Sequence, residues 1–167
     1  MLLKVSQEKV EKRKVLSKHI SYKEGVYSIT AKRLGLKNDP TEEHLINMIE
    51  LAEKVFEPLR KHVGGPVKIN SFYRGPELNK AIGGSSSSQH CDGMAMDVDD
   101  KYGHMSNANM YKYIKENLDF DQMIWEFGDD DNPDWVHVSY VDEESNRNRC
   151  LKAYRTPGSR GTKYMVI

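Results

Sequence analysis

The chain has 167 residues, enough for one domain that buries its core without disulfide staples. Its 25 lysines and arginines balance 25 aspartates and glutamates, which argues against a dedicated nucleic-acid binder, where a net basic balance is the norm. No stretch is long and apolar enough to span a membrane, and the N-terminal run Met1-Leu-Leu-Lys-Val-Ser-Gln-Glu-Lys holds no signal-peptide core, so synthesis in the cytoplasm is expected, with another route needed for any role outside.

Residues 1–38 are charged and irregular, and they predict one short helix plus an arm (1–27) packed on the domain. Asp39-Pro40-Thr41 then offers a helix cap and a first-turn proline. Leu45, Met48, Ile49, Ala52, Phe56 and Leu59 recur at helical spacing as a core-facing stripe, and Gly64-Gly65 ends the helix. Val67 to Phe72 alternates like a half-buried strand, and Glu77 to Ile82 reads as a short helical turn before the flexible run Ser85 to Ser88. Met94 to Val98 predicts a strand and Asn107 to Asn117 a helix. Gln122 to Phe127 and Trp135 to Tyr140 predict an antiparallel pair across an Asp/Asn/Pro-rich loop, with Leu151 to Tyr154 and Tyr164 to Ile167 as edge strands. Helices followed by a mostly antiparallel sheet give an α+β domain spanning 1–167.

Charge is unevenly spread. Asp119 to Asp134 holds seven acidic residues and no basic one, whereas Arg147 to Lys163 holds six basic residues and no acid. Two solvated surfaces account for this; a functional reading sets the basic tail against an anionic polymer such as a bacterial wall. Cys91 and Cys150 match no metal or redox spacing, so two free thiols in a reducing compartment are expected. A cysteine nucleophile at Cys91 is disfavoured, because its neighbour His90 would point elsewhere.

His90 and Asp97 lie seven residues apart across a loop and the start of a strand, with Gly93 and Ala95 keeping the backbone compact. His137 sits mid-strand. Two neutral imidazoles and one carboxylate suit zinc and leave one position for water. Asp134, three residues before His137, stands where a general base would stand. Surface or core histidines give the same bare spacing, and His19, His44, His62 and His104 are read as structural or exposed. Arg74, between a strand end and Gly75-Pro76, is placed to clamp a carboxylate bidentately, the alternative being a surface ion pair. Glu126 either orients an imidazole ligand or binds substrate, or else forms an ion pair within the sheet.

Taken together, Ser88-x-His90-x-x-Gly93-x-Ala95-x-Asp97 followed by Asp134-Trp-Val-His137 resembles the zinc D-Ala-D-Ala carboxypeptidase family of the hedgehog/DD-peptidase fold. The segment Ile69-Asn-Ser-Phe-Tyr-Arg74-Gly-Pro-Glu-Leu-Asn79-Lys-Ala-Ile-Gly-Gly84 and the helix end Phe56-Glu-Pro-Leu-Arg60 are similar to that family too. The likeness covers residues 28–140 and leaves 141–167 as a basic tail. It implies one zinc ion on His90, Asp97 and His137, Asp134 as catalytic base, and Arg74 on a substrate carboxylate or the scissile carbonyl. Ser88 would hydrogen-bond substrate or a ligand's partner. The implied reaction is hydrolysis of a peptide bond in peptidoglycan stem peptides by zinc-activated water. The dipeptidase branch carries Glu in the place of Asp134, so a carboxypeptidase or an endopeptidase is favoured, and either the terminal D-Ala-D-Ala bond or an internal L-Ala-D-Glu bond fits. Similar single-domain proteins are phage or prophage lysins. A monomer acting at the cell wall, with no nucleic-acid partner and no membrane insertion, is expected. The competing readings are a catalytically silent wall-binding or virion module on the same fold, and a zinc hydrolase of some other amide.

Overall fold

The computed structural model describes residues 15–167. The arm expected at the N-terminus lies partly outside this range; within it, two short helices form where one was anticipated, α1 (Tyr22–Val26) and α2 (Ile29–Leu34). Each starts at a serine, Ser21 and Ser28, whose hydroxyl accepts an otherwise orphaned backbone N–H. Leu16 and Ile20, just before α1, are fully buried, so this segment is part of the core.

The long helix is α3 (Glu42–Leu51) and α4 (Glu57–Val63), joined by a π-helical stretch over Ala52–Phe56. Its cap is Thr41, in a reciprocal capping box with His44, so Pro40 precedes the cap and does not occupy the first turn as expected. Pro58 accounts for the widened turn. A proline inside a helix lacks the N–H for the carbonyl four residues back and its ring crowds that carbonyl, here on Lys54 within the π stretch. Gly64 closes the helix in the left-handed region.

Six strands follow: β1 (Lys68–Ser71), β2 (Ala95–Asp99), β3 (Gln122–Glu126), β4 (Trp135–Ser139), β5 (Arg149–Tyr154) and β6 (Lys163–Val166). They form one sheet in the order β1-β2-β4-β3-β5-β6. All pairs are antiparallel except β3–β5, which is parallel. The segment Leu151 to Tyr154, expected at an edge, lies inside the sheet because β6 folds back outside it. Two further helices, α5 (Pro76–Ala81) and α6 (Asn107–Asn117), complete the α+β architecture.

Strand alternation divides the sheet into two faces. Met96, Val98, Met123, Val136, Val138 and Cys150 point to one face and pack with helix residues such as Met48, Val55, Leu59 and Ile114 into the main core. Ile124, Leu151 and Ala153 point to the other, where they form a small cluster with Phe127 and Ile124 and Leu151 line a cleft. The same alternation that buries the helices thus aims Asp97 and His137 outward into the cleft.

The parallel β3–β5 pair also lays the acidic stretch beside the basic one. Asp121 accepts a bidentate bond from Arg147 (2.8 and 2.7 Å), and Lys152 pairs with Asp130. Part of the charge asymmetry seen in the sequence is therefore spent internally. Cys91 and Cys150 are free thiols.

Gly93 ends the turn that carries His90, at φ 71°, and a Cβ there would meet the His44 carbonyl oxygen at 2.5 Å. The obstacle is backbone, so it cannot rotate away. Gly93→Ala is expected to lower stability by about 2–4 kcal/mol, combining left-handed strain with a displaced helix contact. Chemical denaturation checks this; a loss below about 0.5 kcal/mol would show that the close approach is absent.

Candidate active site

Register creates the first half of the site. Asp97 on β2 and His137 on β4 are direct cross-strand partners, which brings their Cβ atoms to within about 5 Å on one face. His137 Nδ1 lies 2.9 Å from Asp97 Oδ1. His90 arrives from a 3-10 turn (Gln89–Asp92) capped by Ser88, whose hydroxyl accepts the His90 N–H at 3.3 Å. That turn is tied to the end of β1 by the Arg74 N–H, which donates to the His90 carbonyl at 3.1 Å.

The imidazole of His90 is almost wholly buried (1% exposed). Its Nδ1 donates to the Phe72 carbonyl at 2.7 Å, which leaves the Nε2 lone pair aimed into the cleft. Nε2 ends 3.3 Å from Asp97 Oδ1 but without hydrogen-bond geometry, so this buried polar atom has no partner. Burial alone would push the Asp97 carboxyl up; the His90 and His137 imidazoles outweigh it and hold the carboxyl well below the usual carboxylate range. Burial pushes His90 down, towards the neutral ligand form. The ligand atoms of His90, Asp97 and His137 all lie within 4.8 Å of one another. An orphaned imidazole nitrogen beside an ionised carboxylate and a second imidazole fits a divalent metal, with nitrogen and oxygen donors of the kind zinc takes.

Around this trio lies a cleft of about 530 Å³. Arg74 lines it, half-buried, with its Nε lacking any partner. Burial pulls the guanidinium pKa down, and Asp97, Cys91 and Glu126 partly restore it. Ser88 also lines the cleft. Glu126, at the end of β3, projects into the same space; burial, reinforced by Asp97, pushes its carboxyl up to about 7 against the opposing pull of His137, Arg74 and Arg155. It forms no ion pair with a described residue, so the alternative of an ion pair within the sheet falls away. A buried carboxyl with a perturbed pKa in a cleft beside such a trio is a candidate functional group.

Asp134 is not brought to the cleft. Its side chain is exposed, and its backbone is pinned by the Glu126 carbonyl (2.9 Å) and by Asn107 Nδ2 (3.0 Å). Asp134 lies in the bend just before β4, outside the alternation that sends Trp135 and His137 into the cleft, and its side chain is exposed to solvent. The sequence had set Asp134 near the metal-bound water as general base; the residues that line the cleft include Glu126 and not Asp134.

The remaining histidines serve structure. His19 binds Glu57 at 2.6 Å, His44 closes the capping box, and His62 stacks on Tyr113 at 3.8 Å between ring centroids. His104 covers Gly65. Burial pushes the Cys91 thiol up, which disfavours the thiolate a nucleophile would need.

Asn38 was not singled out by sequence. It is buried, donates to the Val26 and Tyr73 carbonyls (2.8 and 3.0 Å) and accepts from the Gly75 N–H (2.7 Å), so it brackets Arg74 on both sides. Asn38→Ala is expected to cost about 2–3 kcal/mol of stability by orphaning these groups, and to lower kcat/KM with the metal content intact. Unaltered kinetics in a folded variant would show that Arg74 holds its place without it. Arg155 just after β5, Thr162 just before β6 and Tyr164 in β6 also line the cleft; the sequence had placed them in the basic tail, with Tyr164 opening an edge strand, and not at the site.

Three side chains that could hold a metal ion thus lie on the cleft face of an α+β sheet, with an arginine and a buried carboxyl beside them. A family model described as Peptidase M15 matches residues 18–139, and the chain belongs to that family. The family is zinc-dependent. No curated protein matches the chain.

Proposed function

We propose that this protein is a zinc-dependent peptidase that cleaves a peptide bond in peptidoglycan stem peptides, as a D-Ala-D-Ala carboxypeptidase or an L-Ala-D-Glu-type endopeptidase. The observation that carries the reading is the orphaned Nε2 of His90, aimed at Asp97 and His137 beside an unpaired Arg74. His90, Asp97 and His137 would hold one zinc ion, which supplies a Lewis acid for the scissile carbonyl and the attacking water.

Arg74 binds a substrate carboxylate or steadies the scissile carbonyl, offering a planar fork at a fixed position. Glu126, in place of Asp134, takes the water's proton and passes it to the leaving amine. Its place in the cleft beside the trio suits that task. Ser88 keeps the His90 turn in shape and faces the substrate. A role at the bacterial cell wall as a phage or prophage lysin, acting as a monomer, belongs to the same proposal; its support is the likeness of the motif to single-domain lysins.

Digestion of purified sacculi, with chelator and zinc add-back and mass spectrometry of the released fragments, tests this. Metal-dependent fragments are expected, and their masses separate loss of terminal D-Ala from cleavage within the stem. A folded, zinc-loaded sample that releases nothing would overturn the assignment in favour of a silent wall-binding module or another amide.

A further inference from the structure

The matched family region ends at residue 139, yet the cleft continues beyond it. Its far wall comes from the hairpin of β5 and β6. Register places that wall: β5 runs parallel to β3 with Ala153 opposite Glu126, so Arg155, two residues on, emerges on the face that carries Leu151 and Glu126.

Arg155 is held there by stacking. Its guanidinium carbon sits 4.1 Å from the centroid of the Phe127 ring. Phe127 adopts φ 55°, a left-handed conformation that costs a bulky residue about 1–3 kcal/mol and persists where the surroundings enforce it. The Trp135 ring packs against it in a tilted pair, 5.5 Å between centroids. A guanidinium seated over an aromatic ring keeps N–H groups that the ring does not engage, and these remain available to a ligand.

Among the described residues neither arginine of the cleft has an ion-pair partner, and Arg155 is open to solvent. Arg155 forms no ion pair with any described residue, and the Arg74 Nε is buried without a partner. Of the two cleft carboxylates, Asp97 is held between two imidazoles, and Glu126 stands within electrostatic reach of both arginines while pairing with neither. A substrate with a single carboxylate would satisfy one guanidinium and leave the other unmatched.

We propose that Arg155 is a specificity-determining residue that binds a second substrate carboxylate, so that the preferred substrate is a peptide presenting two separate carboxylates to the cleft, one at Arg74 and one at Arg155. This rests on the peptidase reading above. It places specificity in the C-terminal hairpin, outside the part of the chain that matches the family.

The test uses the full chain and three synthetic stem peptides, L-Ala-γ-D-Glu-L-Lys-D-Ala-D-Ala with both carboxylates free, the same peptide amidated at the D-Glu α-carboxyl, and the same peptide amidated at its C-terminus. Affinity is measured by titration calorimetry on metal-free protein, and kcat/KM in parallel on zinc-loaded protein. Arg155→Gln is expected to weaken binding of the first peptide about tenfold with unchanged thermal stability, and one of the two amidations is expected to abolish that loss. Arg155→Lys, which keeps the charge but not the fork, should fall between. An equal loss on all three peptides, no loss on any, or a wild-type chain that binds all three alike would overturn the proposal. The two readings part cleanly: discrimination in binding without hydrolysis of any peptide sinks the peptidase assignment alone, whereas hydrolysis that ignores both amidations sinks the role of Arg155 alone.

Discussion

Glu126→Gln is expected to lower kcat between about a hundredfold and ten-thousandfold while leaving one zinc per chain, whereas Asp134→Asn is expected to keep most of its turnover. The contrast follows from position, since Glu126 projects into the cleft and Asp134 lies exposed outside it. A base must be ionised to accept a proton, so activity should fall as pH drops through the Glu126 pKa. That pKa is raised to about 7 in the metal-free cleft and should be lowered by a bound dication. The raised value has a second signature that needs no catalysis. The folded, metal-free chain holds the Glu126 proton more tightly than the unfolded chain does, so stability is lost as pH rises between the ordinary carboxyl value of 4.5 and about 7. Above that range Glu126→Gln should stabilise the metal-free protein by on the order of 2–3 kcal/mol; below pH 4 it should change little. Thermal unfolding at both pH values, with zinc content and kcat, decides the matter. Inactive Asp134→Asn beside active Glu126→Gln would restore Asp134 as the base.

Asp97→Asn is the second large effect. The substitution keeps the shape of the side chain but removes the charge that two imidazoles and a dication share. It should abolish both stoichiometric zinc binding and hydrolysis. Wild-type protein at free zinc a thousandfold above its Kd gains about 4 kcal/mol from binding, equivalent to a Tm rise on the order of 10 °C over the chelated form. The Asn variant should show no such difference. A zinc-dependent Tm shift that survives in Asp97→Asn would place the metal elsewhere. Without metal, the depressed Asp97 pKa gives stability that is fully present above the ordinary carboxyl value of 3.8 and lost progressively as pH falls below it, because the unfolded chain takes up the proton first. That acid-sensitive component should also be missing from the variant.

Particular residues show how far the one-dimensional pattern reached. The apolar stripe from Leu45 to Leu59 specified a core helix because a helical period can be read directly from the chain. It missed the π-helical turn, whose signal was Pro58, a residue that changes the hydrogen bonding of the turn before it without disturbing the stripe. The strand cores near Ile69, Val98, Met123 and Val136 were equally legible from alternation. The position of β5 inside the sheet was not, since a parallel partner leaves no local hairpin signature.

The sequence by itself determined the chemistry available: two imidazoles, a carboxylate and an arginine, of types and in an order that resemble a zinc peptidase. It also determined the α+β class, because hydrophobic period is a local property. Only the tertiary structure decided which of those groups meet. Register made Asp97 and His137 partners and set Glu126 opposite Trp135 on their face, Asp134 stayed in the exposed bend before β4, and a parallel strand pairing brought Arg155 to the cleft from beyond the matched region. Proximity across a sheet depends on pairing between distant segments, and the spacing of residues along one strand carries no record of it.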